Sequence, residues 1–186
     1  GPIKSDPYNR FIRFILMLDN GYMLGLSDVR RFGKVFFGDT DKIETINEIG
    51  RLGPEPLDRS FSLDKFKELF SHKKGKIKQV LMNPFIIAGI GNIYADEACF
   101  MAGILPSKRA HRLTLDEIAR LHKASQIIIK KAVEKRGTTF RDYRDAGGSK
   151  GNYVKYLKVY GRGNGSSQHH TMEGCARDPA RHSYEA

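Results

Sequence analysis

The segment PFIIAGIGNIYADEACF, residues 84–100, interrupts an apolar stretch with Gly89, Gly91 and Asn92 and then resumes it. A buried helix disfavours glycine, because glycine loses more backbone entropy on folding than any other residue. A glycine turn that leads into a helix instead presents free backbone N–H groups and the positive end of the helix dipole. We interpret the segment as an anion-binding turn with Asn92 at the start of a helix. A tight helix–helix corner with solvated lysines is the alternative, and the pattern alone does not decide between them.

The charge of the chain favours a polyanionic partner. Its 186 residues include 32 lysines and arginines against 21 aspartates and glutamates, a formal charge of +11. Nucleic acid is the first candidate for such a partner, although a basic soluble protein without one fits the charge equally well. No apolar run approaches the roughly 20 residues that span a bilayer, so we predict no membrane partner.

The first 50 residues have the pattern of β-strands. RFIRFILML and YMLGLSD flank the hairpin turn Asp19–Gly21, and VRRFGKVFF is predicted as a third strand. Within DVRRFGK, an aromatic residue stands beside two arginines. Phe32 could insert into a base stack with an arginine as a hydrogen-bonding reader, although a phenylalanine packed in the sheet is the commoner explanation of the pattern.

The middle of the chain has the pattern of helices. LGPEPL, residues 52–57, is predicted as a linker because its prolines and glycine disfavour regular structure. Ser62 is predicted to cap a helix whose apolar face is formed by Leu63, Phe66, Leu69 and Phe70. A basic helix over 73–83 and a helix after the glycine turn follow.

The longest predicted helix begins at Thr114, where Glu117 completes a capping box, and it ends before Gly137. Beyond it, residues 137–153 are predicted as a polar loop and YVKYLKVYGR as a strand. The last residues, 163–186, lack periodicity and are predicted to be disordered.

Taken in order, these motifs resemble the formamidopyrimidine-DNA glycosylase family. The pieces that match are DNG…SDVRRFGKV, LGPEPL, KKGKIKQVLMNPFIIAGIGNIYADEACFMAGILPSKRA, GTTFRDY and YLKVYGR, which cover most of residues 10–162. The resemblance implies an α+β fold with four parts. A remnant antiparallel sheet of an N-terminal β-sandwich (1–50) precedes a helix–two-turn–helix domain (51–136). A lesion loop and strand (137–162) and a disordered tail in place of a zinc ribbon (163–186) follow.

The resemblance also implies residues that read the damage. Arg30 would take the place of the flipped-out base and face the orphaned cytosine, and Phe32 would wedge between base pairs. Thr138 and Thr139 would lie in the loop that closes over the everted base.

A second group of residues is implied to hold the DNA backbone. Lys73 corresponds to a DNA-binding position, and Lys78 would approach a backbone phosphate. Asn92 and Tyr160 would grip the phosphate near the lesion. A duplex with a damaged or abasic site is therefore the expected partner. The resemblance further implies a monomer in the bacterial cytoplasm, associated with the nucleoid.

The sequence departs from the family at both ends. The family attacks the sugar with a free N-terminal proline amine that is followed by glutamate, whereas Pro2 is acylated by Gly1 and followed by Ile3. We therefore expect a fragment that contains no catalytic residue of the family. The intact family also carries zinc in a four-cysteine ribbon. Only Cys175 stands in the corresponding region, and with Cys99 it cannot supply four ligands, so we expect no metal.

The expected function is that of a base-excision-repair DNA glycosylase and abasic-site lyase. The whole enzyme would remove oxidised purines such as 8-oxoguanine and formamidopyrimidines from duplex DNA, and this fragment would bind DNA without cutting it. A non-catalytic nucleic-acid-binding protein with the same helical module is the alternative. A third possibility is a basic interaction domain with no nucleic-acid role.

Overall fold

The computed structural model describes residues 9–28, 31–43, 45–138 and 151–160. Contacts between residues divide the chain into two compact units, Gly1–Ile49 and Gly50–Ala186.

The first unit is built on an antiparallel hairpin. A 3-10 turn at Asn9–Phe11 leads into β1 (Ile12–Met17), which pairs with β2 (Met23–Ser27). Met17 lies opposite Met23, and the register shifts at the other end, between Ile12 and Phe14. The hairpin predicted around the Asp-Asn-Gly turn is confirmed.

The third predicted strand is wrong: residues 31–38 are described and form no strand. The physical cause is Asp28, whose carboxylate accepts hydrogen bonds from the backbone N–H of Arg31 (2.8 Å) and of Gly33 (2.5 Å). Arg31 also adopts the left-handed conformation, with φ of 59°, which a strand does not allow. Two single helical turns follow, α1 (Thr40–Ile43) and α2 (Asn47–Gly50).

The second unit is helical, which gives the chain the α+β composition expected from the sequence. Its helices are α3 (Leu63–Ser71), α4 (Ile77–Leu81), α5 (Asn92–Ala102) and α6 (Leu115–Glu134). Two 3-10 turns, Ala110–Arg112 and Tyr153–Tyr156, accompany them. In the part of the chain that the structure describes, no helix is long and apolar enough to cross a membrane.

Both predicted helix caps are confirmed. The Ser62 hydroxyl accepts a hydrogen bond from the Lys65 N–H at 3.2 Å. The Thr114 hydroxyl accepts from the Glu117 N–H at 3.2 Å, while the Glu117 carboxylate accepts from the Thr114 N–H at 2.8 Å. These reciprocal bonds satisfy donors that the first turn of a helix leaves unpaired.

The helices enclose a continuous apolar core in which α5 packs against α6. On the predicted apolar face of α3, Phe66 and Phe70 are buried and Leu69 packs against the core, but Leu63 is exposed. The larger side chains that are fully buried in this core lie between residues 61 and 121: Phe61, Phe66, Phe70, Ile77, Leu81, Ile87, Ile104 and Leu121.

The LGPEPL segment is packed against the turn before α5, so it is more than a linker. Gly53 N–H donates to the Pro84 carbonyl at 2.9 Å, and Ala88 N–H donates to the Pro54 carbonyl at 3.2 Å. A Cβ added at Gly53 would lie 2.2 Å from the Ile86 carbonyl oxygen, so only glycine fits there. The segment thereby fixes the position of the glycine turn.

The strand predicted within YVKYLKVYGR is also wrong for the described residues 151–160, which form the 3-10 turn followed by bends and a turn over 158–160. A second apolar cluster explains the conformation, since Tyr153 and Leu157 are buried against Ile128 and Ala132 of α6. The tight turn brings both side chains to the helix, whereas a strand would need a neighbouring strand to pair with its main-chain groups.

Candidate nucleic-acid interface

The glycine turn opens onto the N-terminus of α5. Gly89 has φ of 82°, a left-handed conformation that favours glycine. Gly91 caps α5 with φ of −93°, which any residue adopts, and a Cβ built there would meet no atom within 4 Å. The packing of the protein therefore does not demand glycine at position 91. The absence of a side chain leaves the first N–H groups of α5 open to an approaching anion.

Asn92 and Tyr160 come together at this opening, although 68 residues separate them in the chain. The Asn92 Nδ2 donates to the Tyr160 phenolic oxygen at 3.4 Å. Asn92 is the first residue of α5, so its amide lies beside the positive end of the helix. An amide, a phenol and free backbone N–H groups form a set of donors that suits a phosphate oxygen.

Glu97 of α5 holds the segment that carries Tyr160. Its carboxylate is buried and accepts hydrogen bonds from three successive backbone N–H groups: Lys158 (2.8 Å), Val159 (2.9 Å) and Tyr160 (3.0 Å). Hydrogen bonds to an ionised acceptor are about twice as strong as neutral ones, and a buried carboxylate requires such partners. Glu97 thus fixes the backbone from which the Tyr160 side chain reaches Asn92.

Sequence analysis missed Glu97, although a signal was present. Helix α5 is mostly apolar or small, and Glu97 stands between Ala95 and Ala98, both of which are buried. A charged residue on the buried face of a helix is rare unless it is paired. Its partners, however, are main-chain groups of residues 158–160, and no side-chain pattern identifies such partners.

The predicted loop residues lie only partly within the described structure. Thr138 forms an antiparallel bridge with Asn152, and its hydroxyl lies 3.1 Å from the Tyr94 hydroxyl. Tyr153 N–H also donates to the Gly137 carbonyl at 3.1 Å. Residues 137–138 and 151–153 therefore meet beside α5, while Thr139 lies outside the described residues.

Two buried groups beside this interface stay protonated at neutral pH. Burial, with the nearby Glu97 carboxylate and Tyr94, raises the pKa of Tyr153 to about 12. Burial, with the charge of Asp96, raises the pKa of the Cys99 thiol to about 12 against the opposite effect of Lys78. Neither residue supplies an ionised nucleophile at neutral pH, so the arrangement is suited to holding a ligand.

The two predicted lysines differ in their surroundings. Lys73 is exposed on the turn between α3 and α4. Lys78, in contrast, is less than one-third exposed and forms an ion pair with Asp96 of α5 at 2.8 Å. Its ammonium group joins α4 to α5, so an approaching phosphate would have to share it with a carboxylate.

In the first unit, Phe32 is 79% exposed. The Asp28 carboxylate holds the backbone on both sides of it, through the N–H groups of Arg31 and Gly33. The Phe32 ring is therefore exposed to solvent on a loop whose backbone the Asp28 carboxylate holds, and its role as a wedge stays a prediction. Arg30 lies outside the described residues.

Among residues 9–28, 31–43, 45–138 and 151–160, no group of three or more His, Cys, Asp or Glu side chains could hold a metal ion. Cys175 and the histidines of the tail lie outside these ranges. The described residues therefore offer no position for zinc.

The glycine turn joins α4 to α5 and is open at the start of α5. This arrangement defines a helix–two-turn–helix module. The formamidopyrimidine-DNA glycosylase H2TH domain family matches residues 52–144, half of the chain. The chain belongs to the formamidopyrimidine-DNA glycosylase family.

Curated relatives support this assignment. The chain is 41% identical over 173 residues to a formamidopyrimidine-DNA glycosylase of Herpetosiphon aurantiacus, covering 93% of this chain and 60% of that protein. It is 41% identical over 158 residues to a formamidopyrimidine-DNA glycosylase of Pelotomaculum thermopropionicum, covering 85% and 57%. The chain thus spans about three-fifths of the length of these relatives.

Solved structures agree in fold. The MutM (Fpg) protein of Thermus thermophilus superposes with a TM-score of 0.76 at 36% identity, over 86% of this chain and 59% of that one. The Lactococcus lactis Fpg, in complex with DNA that contains an abasic site, superposes with a TM-score of 0.68 at 34% identity, over 75% and 51%.

Proposed function

We propose that this chain binds duplex DNA at a damaged or abasic site, as the DNA-gripping part of a base-excision-repair glycosylase. The observation that carries the proposal is the Asn92–Tyr160 pair at the open N-terminus of α5. Its donors converge where a backbone phosphate can approach, and Glu97 holds one of the two residues in place. The net charge of +11 suits the same partner.

The substrate class comes from relatives with bound DNA. The Lactococcus lactis Fpg is complexed with abasic-site DNA in one structure, and a variant of it is complexed with DNA containing Fapy-dG in another. For the whole protein of which this chain covers a part, we propose excision of oxidised purines, including 8-oxoguanine and formamidopyrimidines, followed by cleavage at the abasic site. Such an enzyme flips the damaged base and forms a Schiff base with the sugar. A monomer in the bacterial cytoplasm is part of this proposal.

Binding to two labelled duplexes tests the DNA-gripping role. Fluorescence anisotropy would compare a duplex that contains a tetrahydrofuran abasic analogue with an intact duplex of the same sequence. We expect tighter binding to the abasic duplex. Asn92→Ala and Tyr160→Phe should each weaken it about tenfold, the effect of removing one hydrogen bond to a charged group.

Tyr156→Phe is the matched control, since Tyr156 lies on the same segment and its ring faces the Lys131 ammonium group, 4.3 Å from the ring centre. This variant should bind as tightly as the original protein. Equal affinity for the abasic and intact duplexes would instead support a general nucleic-acid-binding module.

Borohydride trapping on abasic DNA separates binding from chemistry. A polypeptide of the printed sequence is expected to give no covalent product, because the Pro2 nitrogen is acylated and Ile3 follows it. A trapped adduct would show that another amine of the chain acts as the nucleophile.

A further inference from the structure

Asp96 places a carboxylate beside the opening at the start of α5. It stands four residues after Asn92, and residues four apart on a helix are neighbours on one face, with about 5–6 Å between their Cβ atoms. The donors at this opening suit a phosphate, yet an acidic side chain lies within about one helical turn of them. Because like charges repel, an unpaired carboxylate at this position would oppose the binding of a phosphate.

The Asp96 carboxylate is paired with Lys78 of α4. The Lys78 Nζ donates to the Asp96 Oδ2 at 2.8 Å. These two side chains are 28% and 23% exposed, whereas those of the surface pair Lys65–Glu68 are 44% and 67% exposed. Solvent and salt screen a shielded pair less than an exposed one. The ion pair therefore holds the Lys78 charge more firmly than a surface pair would.

Lys78 can change its partner without a change of the backbone. Its main chain is fixed, since its N–H donates to the Pro106 carbonyl at 3.2 Å and its carbonyl accepts from the Met82 N–H at 3.0 Å. Its side chain is a flexible four-carbon stem, and the ammonium group has three donors. A rotation of the stem is enough to bring the ammonium group from a carboxylate to a phosphate nearby.

We propose that Asp96 is an internal competitor for the phosphate at the start of α5. Its carboxylate takes the positive charge that DNA would otherwise use, so binding requires Lys78 to leave or share its partner. The identity of the ligand rests on the proposed function. The family resemblance implies a phosphate for Lys78, whereas it implies no role for Asp96.

The competition has a consequence for the effect of salt on binding. A cation that neutralises a DNA phosphate releases a counterion, which makes binding fall as the salt concentration rises. When Lys78 turns to DNA, the freed Asp96 carboxylate attracts a cation from solution, and this uptake offsets the release. The exchange therefore adds little to the salt dependence as long as Asp96 is charged.

The test is Asp96→Asn, which keeps the size of the side chain and removes its charge. Anisotropy titrations from about 50 to about 200 mM salt would be run with the abasic and the intact duplex. The slope of log K against log salt should become steeper by about 0.9 with both duplexes, the value of one phosphate contact. At the lowest salt concentration, the affinity should rise at least about threefold. Asp96→Glu, which keeps the charge, should retain the original slope.

Asp116→Asn is the matched control. Asp116 also pairs with a cation, Arg120, on a helix of the same unit. The Arg120 Nε donates to the Ala102 carbonyl at 3.0 Å, so this pair lies at the opposite end of α5 from Asn92. The control removes the same charge and frees a cation in the same way, but its slope should not change.

The double variant Asp96→Asn/Lys78→Gln shows which cation responds. Without Lys78 there is no charge for the substitution to free, so its slope should equal that of the original protein. A steeper slope in this double variant would overturn the proposal. So would an equal change in Asp116→Asn, or an unchanged slope in Asp96→Asn. Weaker binding by Asp96→Asn would show that Asp96 positions Lys78 for DNA, contrary to the proposal.

These outcomes are separable from failure of the proposed function. If the original protein does not prefer the abasic duplex, the proposed function fails, while the slopes with the intact duplex still test Asp96. If it binds neither duplex, both proposals fail. An unchanged circular dichroism melt shows that each variant is folded. Asp96→Ala, which removes the charge and favours the helix, is the second neutral variant and should steepen the slope as Asp96→Asn does.

Discussion

The two units of this protein differ in how their apolar residues are used. In the second unit, aromatic and aliphatic side chains form a continuous buried core. In the first unit, no described residue is buried, and every side chain of β2 is exposed. An isolated two-stranded hairpin is at best marginally stable in water. The second unit therefore contains a core of its own, whereas the described part of the first unit contains none.

The largest expected difference between the units is in the free energy of unfolding that is lost when a leucine is replaced by alanine. Leu121 on α6 is completely buried, while Leu24 on β2 is 52% exposed. Leu121→Ala should lower the free energy of unfolding by about 2–5 kcal/mol, and Leu24→Ala by less than about 0.5 kcal/mol. Urea denaturation followed by far-ultraviolet circular dichroism measures both. Similar losses would mean that the hairpin is buried in solution.

Substitution of Glu97 should have the next largest effect on stability. Glu97→Ala leaves three backbone N–H groups without their acceptor, and it should destabilise the second unit by about 3 kcal/mol. Glu97→Gln keeps an acceptor oxygen but turns an NH₂ group toward one of the donors, so its effect should be smaller. Urea denaturation gives the stability, and anisotropy with the abasic duplex gives the binding.

Glu134→Ala on the exposed end of α6 is the control for Glu97. If Glu97 positions Tyr160, Glu97→Gln weakens abasic binding at temperatures where the variant remains folded. Unchanged binding by a folded Glu97→Gln variant would limit Glu97 to a structural role.

The capping box at the start of α6 gives a smaller effect on stability, and this effect depends on pH. Burial raises the pKa of Glu117, but hydrogen bonds from Lys108 and Thr114 outweigh it and hold the pKa below its ordinary value. A carboxyl with a lowered folded pKa stabilises the fold at neutral pH and loses that contribution as the pH falls through the folded pKa.

Replacing the cap residue, Thr114→Ala, should lower the free energy of unfolding by about 1 kcal/mol at neutral pH. Glu117→Gln should reduce the loss of thermal stability between about pH 7 and about pH 3, and an identical pH profile would contradict this.

In both units, local patterns are predicted correctly and the wrong predictions come from hydrogen bonds that the pattern does not show. The caps at Ser62 and Thr114 are local, since donor and acceptor lie three residues apart, and both are confirmed. The two predicted strands do not form because side-chain carboxylates accept the hydrogen bonds of their backbone N–H groups. Asp28 takes the N–H groups that a third strand would use, and Glu97 takes those of residues 158–160, which lie 61 to 63 residues away in the chain.

The same distinction applies to the candidate site. The glycine turn and Asn92 form one local motif, so the sequence places them on a helix start. The approach of Tyr160 to Asn92 depends on tertiary packing, and the family resemblance suggested it where periodicity could not. The ion pair between Lys78 and Asp96 has no sequence signal, because the two residues lie on different helices.

The smallest expected effect on stability is that of Phe32→Ala in the first unit. The same substitution also tests whether this unit takes part in DNA binding. Its ring is 79% exposed, so Phe32→Ala should change the free energy of unfolding by less than about 0.5 kcal/mol. If the ring inserts into duplex DNA, its removal should nevertheless lower the preference for the abasic duplex severalfold, because an abasic site costs less to unstack. Anisotropy with the abasic and intact duplexes measures this preference.

Phe37 offers a matched aromatic control, because it belongs to the same unit and is fully exposed. Phe37 lies beyond the loop that the Asp28 carboxylate fixes around Phe32, so Phe37→Ala should leave the preference unchanged. An equal loss in both variants would mean that exposed aromatic surface acts without regard to position. If only Phe32→Ala loses the preference for the abasic duplex, the first unit contributes to that preference through the loop that Asp28 holds.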